Sequence, residues 1–273
     1  MIWRCRDHIF DLGNRTLVMG ILNVTPDSFS DGGRWLDPAA AIERGRQLLA
    51  EGADLLDVGA ESTRPGAARV SSAEQLRRLV PVLDGLSGAP QSVDTASAEV
   101  AAEALARGAI AVNDVTALGE PAMAGVVARA GAGVVLMHMR GEPRTMQQDV
   151  HYDDVVAEVA AFLRERRALA GAAGIADEQI VLDPGIGFGK TVSQNLELID
   201  RLAEIKALGY PVLVGPSRKS FIGYTLDLPP NQRLEGTAAS VAVSVVRGAD
   251  IVRVHDVEVM ARVAKMTDAI ARH

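Results

Sequence analysis

The chain has 273 residues, 48% of them hydrophobic, 23% charged and only 4% aromatic. Those proportions exclude a disordered or collagen-like polypeptide and call for a core of Ala, Val, Ile and Leu. A formal net charge of −7 excludes a basic nucleic-acid binder, and a single cysteine, Cys5, excludes an internal disulfide framework or a Cys-rich zinc site.

Residues 1–12 alternate polar and apolar without a signal-like apolar run. No stretch approaches the ~20 apolar residues of a membrane helix, so a cytoplasmic chain with no membrane contact is expected. From there, short aliphatic runs alternate with segments of helical period. TLVMGILNV (16–24) precedes a helix over 40–52, and LLDVGA (55–60) precedes one over 73–83. QSVDT (91–95) leads to 96–108, IAVNDVT (110–116) to 122–131, and VVLMHM (134–139) to 155–171. IVLDPG (180–185) leads to 195–209, VLVGPS (212–217) to 234–247, and IVRVH (251–255) to a last helix from Asp256. Gly52, Gly108, Gly131, Gly209 and Gly248 stand where helices end, the position that takes a left-handed conformation. Eight near-continuous apolar strands, each followed by a helix, predict an α/β fold, a single (β/α)₈ TIM barrel spanning 1–273 as one domain. The rival, an open doubly wound sheet, calls for a Gly-rich phosphate loop after the first strand, but NVTPDSFSDGGR follows it.

In a barrel the chemistry gathers where strands run into the following loops. Those ends carry Asn23, then Glu61 to Arg64, then Asp94 and Thr95, Asn113 and Asp114, and His138 and Arg140. Asp183, then Ser217 to Lys219, then Arg253 and His255 complete the set. Any one of them is as readily structural, since Asp and Asn can satisfy loop amides. Polar groups at all eight ends point to a ligand, because a buried polar cluster without one is costly. Asp94, Asn113, Asp183 and Lys219 suit a flat heterocycle with an amidine-like edge. Arg64, Arg253, His255 and Asn23 suit a pyrophosphate with one hard cation. Phe29, Phe188 and Phe221 are candidates for stacking, with plain packing as the alternative. The segment DPGIGFGKT only imitates a phosphate loop, since Pro184 stands where a Walker glycine is required. Its glycines are expected to let backbone pass close to a flat ligand.

These residues resemble the dihydropteroate synthase family over nearly the whole chain. The matching segments are VMGILNVTPDSFSDGG (18–33), DVGAESTRPGA (57–67), SVDT (92–95), GAIAVNDV (108–115), LMHMRGEPRTMQ (136–147), LDPGIGFGKT (182–191), GPSRKSFIG (215–223), EGTAAS (235–240) and RVHDV (253–257). Ala60 departs from the glycine many relatives carry.

The resemblance implies condensation of 6-hydroxymethyl-7,8-dihydropterin pyrophosphate with para-aminobenzoate, giving 7,8-dihydropteroate and pyrophosphate. Carried over by motif, Asp94, Asn113, Asp183 and Lys219 hold the pterin. Asn23, Thr63, Arg64, Arg253 and His255 hold the pyrophosphate, with Asn23 as the Mg²⁺ ligand. Phe29, Thr63, Pro65, Phe188 and Ser220 form the para-aminobenzoate side, the one sulfonamides imitate. Lys219, Asp94, Arg253 and His255 carry the chemistry. Departure of pyrophosphate leaves a cationic pterin methylene, and a neutral arylamine attacks it without a strong base. A homodimer is implied, and the small-residue stretch 237–246 is consistent with a subunit contact. A pterin-binding relative without activity would have damaged NVTPDSF or SRKSF segments. A corrinoid-dependent methyltransferase barrel would share the pterin pocket but not the SRKSF segment.

Overall fold

The computed structural model describes residues 1–25, 37–62, 69–141, 145–146 and 150–272. A two-stranded antiparallel hairpin, β1 (Ile2–Cys5) and β2 (His8–Asp11), precedes the barrel. The barrel strands are β3 (Leu17–Asn23), β4 (Leu55–Gly59), β5 (Gln91–Asp94), β6 (Ala111–Asp114), β7 (Gly133–Met137), β8 (Ile180–Asp183), β9 (Leu213–Val214) and β10 (Ile251–Val254). The helices are α1 (Pro38–Ala50), α2 (Ser72–Gly85), α3 (Ala98–Ala106), α4 (Met123–Ala130), α5 (Val155–Ala172), α6 (Val192–Asp200), α7 (Leu202–Lys206), α8 (Ser220–Leu226), α9 (Leu234–Val246) and α10 (Val257–Ala271). The parallel sheet runs β8-β7-β6-β5-β4-β3-β10-β9, and a parallel bridge between Leu182 and Val212 joins its ends. The expected barrel is therefore present.

Local chemistry explains the elements. β4 to β7 are buried at every residue, as strands covered on both faces must be. Ser71, Ser97, Asp154 and Thr191 each accept a backbone N–H at the start of a helix. All five glycines expected at helix ends have positive φ.

Three features were not anticipated. The hairpin closes the floor of the barrel, where Trp3, Cys5 and Leu12 are buried against Leu55, Ala111, Val181 and Ile251. The segment expected as one helix over 195–209 breaks at Arg201, which ion-pairs with Asp154, Glu197 and Glu204. The SRKSF segment opens a further short helix, α8.

Side chains of a strand alternate between faces, so the inward residue above each floor residue lies two positions on. Above Leu55, Ala111, Val181 and Ile251 come Asp57, Asn113, Asp183 and Arg253. The barrel interior thus changes from apolar to polar within one layer, at its C-terminal end.

Candidate active site

The polar layer is one connected network. Arg253 reaches across the interior, its Nε donating to Asp57 Oδ2 at 2.5 Å and its Nη2 to Asp94 Oδ2 at 2.7 Å. Asn113 Nδ2 donates to the same Asp57 oxygen at 2.9 Å, and Ser92 Oγ donates to Asp57 Oδ1 at 2.5 Å. Asp94 and Asn113 face each other in register on β5 and β6. Gly59 makes room for Asp94, since a Cβ there would lie 3.2 Å from the Asp94 Cβ.

Several acceptors in this layer remain unspent. Asn113 Oδ1 is buried without a hydrogen-bond partner among the described residues. Asp94 uses one oxygen on Arg253. Asp183 uses Oδ1 on the Gly185 N–H, at 2.7 Å. That turn follows from the sequence: Pro184 offers no N–H, so the donor two residues on is the first available. Asp183 therefore anchors the loop after β8 with one oxygen and keeps the other.

Burial sets the ionisation of these groups. It raises Asp94 to about 7; Arg253 opposes the shift, while Asp57, Asp114 and Glu61 add to it. Burial also raises Asp183, opposed by Lys219, the Gly185 N–H, Lys190 and Arg253. Lys219 is pushed down to about 7 by burial and by Arg253, against the pull of Asp183 and Asp94. Lys219 donates to the Ile186 carbonyl and its Nζ lies 4.3 Å from the Phe188 ring centroid, so it joins the acceptor layer to the aromatic side.

Other expected residues fall around this layer. Asn23, half-buried, ends β3. His255 follows β10, its backbone N–H donating to Ser217 Oγ at 3.2 Å and its Nδ1 lying 3.0 Å from the same oxygen. Ser220 is exposed at the start of α8. Phe29, Thr63, Arg64 and Pro65 lie outside the described residues. Arg253 lies between two carboxylates, Asp57 and Asp94. Phe221 is buried in the core, which settles its alternative as packing.

The loop after β8 corrects one expectation. Its glycines make room for protein: a Cβ at Gly185 would collide with the His138 carbonyl, and one at Gly187 would lie 2.7 Å from Lys219 Cδ. Lys190 turns inward, donating to the carbonyls of Gly185 and Phe188, each at 2.9 Å, and lying 3.0 Å from His138 Nδ1. It clamps its own loop, unlike a phosphate-loop lysine.

Sequence reasoning missed Asp57 and Lys190. For Asp57 a signal existed, a lone charge inside the apolar run LLDVGA, two residues beyond a floor residue.

The comparisons agree with one another. The family profile "Pterin binding enzyme" matches residues 19–255. A dihydropteroate synthase of Synechocystis sp. is 49% identical, covering 97% of this chain and 93% of that protein. A crystal structure of the Yersinia pestis dihydropteroate synthase with a sulfonamide drug superposes with TM-score 0.95 at 42% identity, covering 100% of both chains. A Xanthomonas albilineans dihydropteroate synthase with 4-aminobenzoic acid gives 0.92 at 46% identity, covering 98% of this chain and 97% of that one.

Proposed function

The chain belongs to the dihydropteroate synthase family of pterin-binding enzymes, and we propose from that premise how its site condenses 6-hydroxymethyl-7,8-dihydropterin pyrophosphate with para-aminobenzoate. The observation that carries the reading is the unspent acceptor layer, above all the buried Asn113 Oδ1. A pterin presents N–H groups along its pyrimidine edge. Such an edge supplies the hydrogen bonds that this layer lacks in the bare protein.

With the ring on Asp94, Asn113 and Asp183, the carboxylates stabilise positive charge that develops on the ring and its methylene as the C–O bond to pyrophosphate breaks. Lys219 spans the two substrate positions, reaching both the Asp183 side and Phe188. His255, steadied by Ser217, together with Arg253, Thr63 and Arg64, balances the charge of the leaving group. Phe29, Pro65, Phe188 and Ser220 hold the arylamine, which attacks neutral and then loses a proton. No poised base is required.

A Mg²⁺ ion would be held by Asn23 together with oxygens of the substrate itself. Among the described residues no cluster of His, Cys, Asp and Glu could hold a metal, whereas Asn23 offers one amide oxygen at the pocket edge. Magnesium commonly combines one or two protein oxygens with substrate phosphates and water. When bound by Asn23 it would supply positive charge to the pyrophosphate.

A homodimer is the assembly we propose. Val243 and Val246 on α9 and Met266 and Ile270 on the adjoining α10 are exposed apolar side chains, which a subunit contact would cover. The cytoplasm is the compartment proposed, in keeping with a single buried cysteine.

The test is pyrophosphate release with both substrates and Mg²⁺ present. Release that requires para-aminobenzoate and matches dihydropteroate formed supports the reading. Release equally fast without the amine, or none with both substrates, refutes it.

A further inference from the structure

Asp57 is fully buried, and its oxygens are occupied by protein donors: Ser92, Asn113 and Arg253. It therefore meets no substrate directly. Its effect falls on two groups that do, in the reading above. A side-chain amide can present either its oxygen or its nitrogen, but a carboxylate only accepts. With Asp57 behind it, Asn113 must turn Nδ2 inward, and its Oδ1 is the atom left without a partner. The guanidinium of Arg253 is likewise divided, Nε to Asp57 and Nη2 to Asp94. Without Asp57, Arg253 would be available to grip both oxygens of Asp94 as a fork, the favoured arrangement for that pair.

We propose that Asp57 is a positioning residue that fixes Asn113 and Asp94 as acceptors, so that the pocket selects a heterocycle bearing an amino group over one bearing an oxo group at the same position. The proposal rests on the pterin reading of the site. An edge amino group donates to Asn113 Oδ1, whereas an oxo group would set acceptor against acceptor beside the carboxylates. Loss of the Asp57 charge lets the Asn113 amide rotate and adapt to either ring.

Titration calorimetry with 6-hydroxymethylpterin and its 2-oxo counterpart, 6-hydroxymethyllumazine, tests this on the wild type and on Asp57→Asn. The wild type is expected to prefer the pterin. Asp57→Asn should narrow that preference by about tenfold, the size of one buried hydrogen bond lost or mismatched. Equal weakening of both ligands, with the preference intact, overturns the role of Asp57 and marks it as structural only. A wild type that binds neither ring overturns the pterin reading itself, and the proposal with it. Should Asp57→Asn fail to fold, the wild type still decides. The Asn113 side-chain amide protons should exchange slowly with solvent in the bare enzyme and stay slow on adding the pterin. Fast exchange in either state, which would mean that Nδ2 is not held on Asp57, overturns the proposal.

Discussion

Asp183→Asn separates ligand binding from loop anchoring. One Asp183 oxygen accepts the Gly185 N–H, and an asparagine carbonyl can keep that bond. The other position then changes from a carboxylate oxygen to an NH₂ group, which meets the N–H edge of the pterin as donor against donor. A hydrogen bond to a charged group contributes about 1.5–3 kcal/mol, so pterin affinity should fall roughly 10- to 150-fold. The melting temperature should stay the same or rise slightly, because desolvating the carboxylate is what raises its pKa in the bare protein. Calorimetry and thermal unfolding of the same preparation give both numbers. A large drop in melting temperature with unchanged pterin affinity would refute the reasoning and leave Asp183 as a loop anchor.

Three further outcomes follow from the same geometry. Pterin pyrophosphate affinity should pass through a maximum near pH 7, because Asp94 offers two charged acceptor oxygens only when ionised and Lys219 carries charge only when protonated, and both titrate at about 7. Burial first, opposed by Arg253 and reinforced by Asp57, Asp114 and Glu61, sets the Asp94 value, and a flat profile between pH 5 and 9 would contradict it. His138 is held neutral, its pKa lowered to about 2 first by burial and then by Lys190 and Arg140. The unfolded chain binds the His138 proton below its ordinary value of about 6.5 while the folded chain does not, so folding loses stability as pH falls. Urea denaturation should show the wild type losing up to ~1.4 kcal/mol per pH unit relative to His138→Gln below that value; parallel pH curves would show that His138 does not carry the effect. Gly187→Ala forces a left-handed alanine at φ +85 and a methyl 2.7 Å from Lys219 Cδ. The conformation alone costs about 1–2 kcal/mol, and displacement of Lys219 should lower kcat/KM as well; normal kinetics would show that Lys219 is not held by this contact.

Much of this was legible in the sequence because barrel strands are buried on both faces and read as apolar runs. Asp94, Asn113, Asp183, Lys219, Arg253 and His255 could be picked out as polar residues at the ends of such runs. The N-terminal hairpin was not, since each strand is four residues long and its apolar side chains find their partners only on the barrel floor. Asp57 escaped for a related reason. Its importance lies in Arg253, a contact 196 residues away across the barrel, and no local pattern records that pairing. Pro184 was legible as a missing donor, but the Asp183–Gly185 turn it promotes became evident only with the backbone in place. The glycines of the loop after β8 were read toward a ligand, whereas their neighbours are His138, Lys219 and Arg140.

The measurement that bears most directly on the site is a crystal structure of this chain with 6-hydroxymethylpterin bound. The account predicts the ring within the barrel mouth, its N–H edge on Asp94, Asp183 and Asn113 Oδ1, with Asn113 Nδ2 still on Asp57 and Lys219 between the ring and Phe188. A pterin bound elsewhere, or bound in the barrel with Asn113 Oδ1 still unpartnered, would contradict it.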